Sequence, residues 1–174
     1  MVSVKLDKLC TPLWCDEDGK QIDDGTIQRL AKDKFRITSA EPNLEWIEHN
    51  AAGMDLTIRD DSKKYRCFSF QGPNSRAILN SIASDSLDSL KFFWMMDTQF
   101  HDISVTISRT GYTGDLGYEI WMGPKDALSV WDLLMDKGKS YGLTPTVSRH
   151  WIWPASKQDL FYLMWIIYLH VTLL

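Results

Sequence analysis

Asp23 and Asp24 stand side by side in the run Asp16-Glu17-Asp18-Gly19-Lys20-Gln21-Ile22-Asp23-Asp24-Gly25. A carboxylate so placed can move a proton or stabilise positive charge at a reacting centre. The pair follows a turn-rich segment and precedes Thr26, Ile27 and the Phe35–Thr38 run, which reads as strand. Strand side chains alternate faces, so a regular strand sends one aspartate to solvent and leaves the other free for chemistry. The plainer alternative makes both of them turn and strand-edge groups at a hairpin mouth. A third carboxylate, Glu119, lies in Ser108-Arg109-Thr110-Gly111-Tyr112-Thr113-Gly114-Asp115-Leu116-Gly117-Tyr118-Glu119-Ile120. Glycines at a spacing of three let this backbone turn tightly and come close to a flat ligand. The spacing is not that of the dinucleotide-binding loop, and no helix N-terminus follows to hold a pyrophosphate. After the turn, Tyr118 and Ile120 share one strand face and Glu119 takes the other. Taken alone, that is a hairpin with an outward glutamate.

The elements that must position these residues follow from periodicity and breakers. Lys5 to Trp14 reads as a strand, with Pro12 marking an edge. Thr26–Leu30 and Phe35–Thr38 form a hairpin across Lys32-Asp33-Lys34. Ser39 offers an N-cap to a short helix containing Trp46 and Ile47, with Pro42 in its first turn and Gly53 as its stop. Leu56–Ile58 and Cys67–Phe70 read as a strand pair across the polar turn Asp60–Lys64. Asn74 or Ser75 then starts a helix carrying Ala77, Ile78, Leu79, Ile82 and Ala83. Phe92–Met96 fits strand or helix. Ile103, Val105 and Ile107 line one face of a strand that leads into the glycine turn and its partner strand, Tyr118–Met122. Pro124 opens a helix with Ala127, Leu128, Val130, Trp131, Leu134 and Met135 on its apolar face, and Gly138 ends it. Hairpins and helices alternate without strict βαβ order, which predicts an α+β fold, an antiparallel sheet with flanking helices.

A chain of 174 residues with a net charge of −4 has room for a real core. It shows no basic stripe with interleaved aromatics, which argues against nucleic acid as a partner. Cys10, Cys15 and Cys67 are odd in number and form no CxxC, pointing to a reducing, cytoplasmic setting without a zinc site. The four histidines, His49, His101, His150 and His170, lack metal-ligand spacing and read as surface or packing residues.

The glycine-punctuated run resembles the signature of the glycine cleavage T protein family, the folate-dependent aminomethyltransferases. Two further segments stand in family order: Gly19–Asp24 resembles its GG-x-I-DD segment and Phe68–Pro73 its A-x-QGP segment. The resemblance runs from about Leu9 to Thr146. It implies an incomplete folate-binding aminomethyltransferase fold, tetrahydrofolate as cofactor, and a small methyl or aminomethyl donor, with a lipoyl carrier protein as partner where glycine is the donor. Residue by residue, Asp24 matches the family's catalytic aspartate and also its cofactor contact. Tyr112 and Glu119 match its folate-contacting tyrosine and glutamate. A carboxylate at Glu119 can accept a ring N–H and an exocyclic amine of a pterin together. Tyr112 offers a ring face or a hydroxyl. Asp24 can stabilise positive charge on the one-carbon unit or position a proton, and both roles stay open.

The sequence also departs from the family. Gly25 and Gln28 stand where the T protein has a leucine and a tyrosine, and Thr38-Ser39-Ala40 leaves its ligand-contacting asparagine unmatched. Asp16-Glu17-Asp18-Gly19 with Asp24-Gly25 looks closer to relatives that demethylate sarcosine, dimethylglycine or dimethylsulfoniopropionate. The expectation is therefore a fragment of a tetrahydrofolate-dependent one-carbon transferase, covering about two-fifths of a full member. A demethylase or an inert remnant are the alternatives.

The resemblance ends at residue 146, which divides the chain into 1–146 and a tail, 147–174. Leu160–Leu174 is almost wholly apolar. A membrane helix needs about 20 such residues, so a spanning segment is not expected. A buried helix is a second reading. The third is a lost base: one G restored after the Thr146 codon lets Val147–Phe161 read GL-x-ALDMARIEAGFI in the neighbouring frame. GL-x-A…R-x-EAG is the family's own next segment, and it carries an arginine that helps to close the folate site. The tail is accordingly expected to be out of frame, and the chain as it stands to be inactive alone.

Overall fold

The computed structural model describes residues 5–39, 43–111, 113–146, 160–163 and 167–173. In chain order its elements are β1 (Leu9–Cys10), β2 (Leu13–Cys15), β3 (Gln21–Ala31), β4 (Lys34–Ser39), α1 (Leu44–Asn50), β5 (Leu56–Asp60), β6 (Arg66–Gln71), α2 (Ser75–Asn80), β7 (Met95–Phe100), β8 (Ile103–Ser108), β9 (Gly117–Met122), α3 (Ala127–Gly138), β10 (Thr144–Thr146), β11 (Leu160–Leu163) and β12 (Ile167–Leu173). Antiparallel sheets with a few helices make this the expected α+β fold. The chain divides into two compact units, Met1–Lys64 with Trp165–Leu174, and Tyr65–Met164.

The first unit is a sheet in the order β1-β3-β4-β12-β5, with β2 paired to the start of β3. The strand expected over Lys5–Trp14 is cut in two at Thr11-Pro12, because proline has no N–H for the ladder. β3 begins at Gln21, so the aspartates lie inside the strand and not before it, Asp23 opposite Trp14 and Asp24 opposite Leu13. Gly25 follows them for a steric reason. A Cβ there would lie 1.9 Å from the Thr38 carbonyl oxygen and 2.9 Å from the Trp14 ring. The helix expected to start at Ser39 starts later: Ser39 closes β4, opposite Gly25, and Asn43 is the N-cap of α1.

In the second unit the order is β10-β11-β6-β9-β8-β7, antiparallel except for β10 with β11. Alternation sends Phe68, Phe70, Val105, Ile107, Tyr118 and Ile120 into a core shared with Ile78 and Leu79 of α2 and Val130 and Leu134 of α3. Phe68 meets Trp131 edge-on, with ring centroids 5.7 Å apart. The α3 face is narrower than expected, since Leu128 is exposed. The reading of Leu56–Ile58 and Cys67–Phe70 as one hairpin is corrected. β5 pairs with β12 and β6 with β9 and β11, so the two strands belong to different sheets. The described parts of the apolar tail are also strand and not helix: β12 lies between β4 and β5, and β11 between β10 and β6. Among the described residues no helix is long and apolar enough to cross a membrane.

Candidate functional site

β9 delivers Glu119 to a buried position. Ser69 of β6 and Ser108 of β8 are its register partners on either side. Alternation takes Glu119 away from the face that packs on the helices, but that second face is not wet: Ser69, Gln71, Ser108 and Glu119 are all buried, and Glu119 is 6% exposed. The outward glutamate expected from the strand pattern alone is therefore overturned. Glu119 Oε2 accepts the Thr110 hydroxyl at 2.8 Å and the Ser108 hydroxyl at 3.3 Å. Its other oxygen, Oε1, accepts no hydrogen bond from the described residues. Burial pushes the carboxyl above the usual glutamate range, and the Thr110 and Ser108 hydroxyls, by favouring the charged form, pull part of the way back. Oε1 is not among the fully buried atoms left without a partner, so a ligand or solvent can reach it although the rest of the side chain is buried.

The glycine turn serves this arrangement in a way the spacing did not reveal. A Cβ on Gly117 would lie 1.7 Å from Gln71 Oε1, and one on Gly111 2.3 Å from the same atom. The room these glycines leave is filled by the Gln71 amide. Gln71 Nε2 donates to Ser69 Oγ at 2.9 Å and reaches the Thr110 and Tyr118 carbonyls at 3.5 and 3.4 Å. Thr113 Oγ1 donates to Gln71 Oε1 at 3.1 Å. Gly114, with φ +78°, makes the turn itself. Gln71, Ser108 and Thr110 were given no role in the sequence reading. The signal was available in Gln71, which falls in register with Gly117.

Asp24 belongs to the first unit and is exposed on β3. Its neighbour is tied down: Asp23 Oδ1 accepts the Asp24 backbone N–H at 2.8 Å, and Oδ2 accepts Asn43 Nδ2 at 2.6 Å. Alternation was expected to send one aspartate to solvent and leave the other for chemistry; here Asp24, the residue matched to the catalytic aspartate, is the exposed one, and Asp23 is the one bonded to Asn43. Tyr112 lies outside the described residues. Among the described residues no cluster of His, Cys, Asp or Glu could hold a metal ion.

The sheet arrangement defines the class. Over 76% of the chain it matches 36% of a crystal structure of glycine cleavage system aminomethyltransferase T from Bartonella henselae, with a TM-score of 0.59 and 22% identity, so the fold is of that kind. Residues 2–150 match the family model described as GCVT N-terminal domain, and the chain belongs to that family. An aminomethyltransferase of Halothermothrix orenii is 39% identical over 141 residues, which are 79% of this chain and 39% of the relative. One from Streptomyces coelicolor is 34% identical over 75% of this chain and 36% of the relative. A trimethylamine-oxide aldolase of Ruegeria pomeroyi is 36% identical over 75% of this chain and 18% of its own. The chain thus spans about two-fifths of the length of the aminomethyltransferases it matches.

Proposed function

We propose that the chain is part of a tetrahydrofolate-dependent one-carbon transferase, and that Glu119 is its pterin-recognising carboxylate. The observation that carries this is the buried carboxylate with Oε1 uncommitted, in a chain of the GCVT N-terminal domain family. The residues present fit the group. A pterin edge offers N–H donors side by side, and Oε1 is the acceptor that lacks one. When bound, tetrahydrofolate supplies the nitrogens that accept a one-carbon unit. Glu119 binds and orients it. Tyr112 contacts it through ring or hydroxyl. Asp24, also a contact, stabilises positive charge beside those nitrogens or positions a proton there. Desolvation makes the site at Glu119 more selective, because an analogue without N–H donors leaves the carboxylate unmet.

The donor is a small methyl or aminomethyl compound. Two sources are consistent with the relatives: an aminomethyl group, taken from a lipoyl carrier protein, or an N-methyl group removed in a demethylase reaction. The second is supported by Gly25 in place of the T protein's leucine, and the likeness to a trimethylamine-oxide aldolase, at 36% against 39% for an aminomethyltransferase, is compatible with either.

We further propose that residues 1–146 are the folate-binding portion and that 147–174 is read out of frame. The family match stops at residue 150, and the proposed frame restores GL-x-A…R-x-EAG. Sequencing the source DNA across the Thr146 codon decides this; an uninterrupted frame shared with close relatives ends it. If the frame is broken, the product as it stands is an inert remnant and only the restored gene product is an enzyme of cytoplasmic one-carbon metabolism. The functional test is calorimetric titration of both products with tetrahydrofolate. The restored one is expected to bind with micromolar affinity, lost on Glu119→Gln, and the chain as it stands weakly or not at all. Binding indifferent to Glu119→Gln overturns the pterin assignment.

A further inference from the structure

Ser108 and Thr110 take no part in the reading above, yet they supply the hydrogen bonds that Glu119 receives from the described residues. Both are buried as deeply as the carboxylate. Their oxygens are 2.8 Å apart. Behind them, Trp121 Nε1 donates to Ser108 Oγ at a long 3.4 Å.

The donor inventory gives this chain a direction. An indole N–H can only donate, and a hydroxyl has one hydrogen to give. Ser108, accepting from Trp121, must pass its hydrogen on to Thr110 or Glu119. Thr110 passes its own to Glu119 Oε2. Bonds run one way, from indole through two hydroxyls to one carboxylate oxygen, and such chains polarise in the direction that favours the anion at their end. The short Thr110 bond ends the chain on Oε2, with Ser108 Oγ 3.3 Å from the same oxygen, which fixes the plane of the carboxylate and leaves Oε1 open. Among the described residues the groups acting on its ionisation are these hydroxyls and burial, with no ion pair.

We propose that Thr110, backed by Ser108 and Trp121, is a positioning residue that holds Glu119 as an oriented acceptor, so that the site takes ligand edges bearing N–H donors and turns away edges presenting acceptors. The consequence for ligand choice rests on the reading of Glu119 as a ligand contact; the hydrogen-bond chain does not.

The test reads the carboxylate itself. The protein is labelled with carboxyl-¹³C glutamate, and the Glu119 signal is assigned by its loss in Glu119→Gln. Its chemical shift is then followed with pH in the wild type, Thr110→Val, Thr110→Ser, Ser108→Ala and Trp121→Phe. Removing a hydroxyl donor should move the Glu119 midpoint to higher pH in Thr110→Val, and less far in Ser108→Ala. Thr110→Ser should restore it, and Trp121→Phe should give the smallest rise. A Thr110→Val that does not fold leaves Ser108→Ala and Trp121→Phe to decide. Midpoints that stay fixed across the folded variants, or a Thr110→Ser that fails to restore the wild-type curve, overturn the inference. The measurement needs no ligand, so a midpoint that moves as expected in a frame-restored chain that ignores tetrahydrofolate counts against the folate assignment alone.

Discussion

In the first unit the carboxylate proposed for the chemistry sits in the open: Asp24 is exposed, and its placement depends on a neighbour tied to Asn43 and on the missing side chain at Gly25. In the second unit Glu119 is buried between strands, with hydroxyls set against one oxygen and a dense aromatic and aliphatic core on the far side of its sheet. The packing differs in the same sense. α1 buries none of its residues, and between it and the sheet lies an apolar groove of about 320 Å³ lined by Trp14, Ile27, Ile37, Trp46 and Ile47 among others. The stacked pair Trp14 and Trp46, 6.4 Å apart, spans part of it. In the second unit β6, β7, β8, β9 and both helices contribute fully buried side chains. A contact that must recognise a ligand edge needs fixed geometry and a dry surrounding, which dense packing supplies. A group that must meet reacting atoms needs access, which an exposed strand supplies.

The sharpest way to break this comparison is to truncate one residue in each unit. Phe70→Ala removes a fully buried ring from the second unit and should cost about 3–5 kcal/mol. Ile47→Ala, at the rim of the groove, should cost under about 1 kcal/mol, because little packing is lost where little exists. Hydrogen exchange resolved by strand reads the two losses separately, with β6, β8 and β9 deprotected in the first variant. Equal losses would mean that the groove is not a gap and that the two units are packed alike.

How much of this was legible in the sequence depends on which physical signal each feature has. Val105, Ile107, Phe68 and Phe70 follow the period of two, and their inward face could be read directly. The same rule placed Glu119 on the opposite face but could not say that this face is also buried, since alternation reports direction and not what lies beyond. The resemblance pointed to Glu119 as functional; nothing in its neighbours' spacing pointed to Thr110 and Ser108 as its donors. β5 and β6 were misjoined because a polar turn between two apolar runs is the local signature of a hairpin, whereas the partners they take, β12 and β9, are remote in sequence. Ser39 was misread as a helix cap for a similar reason. A serine before a helical pattern is a capping signal, and its pairing with Gly25 outweighed it. Gly111 and Gly117 were legible as close-approach positions, but the approaching group is Gln71.

A smaller effect sharpens the comparison through pH. Burial raises the Glu119 carboxyl above its ordinary range. Between the ordinary value, about pH 4, and the raised one, the folded protein therefore holds a proton that the unfolded chain has released. This group's contribution to stability falls as pH rises through that window and levels off above it, since the state that binds more protons is favoured by acid. Glu119→Gln removes the titration and keeps an oxygen that can accept from Thr110. Melting curves of wild type and variant should differ least at the acid end of the window. The variant should gain relative to the wild type as pH rises, by on the order of 1 kcal/mol, the scale of one buried polar group left unmet. Parallel curves across the window would mean that the hydroxyls offset burial completely.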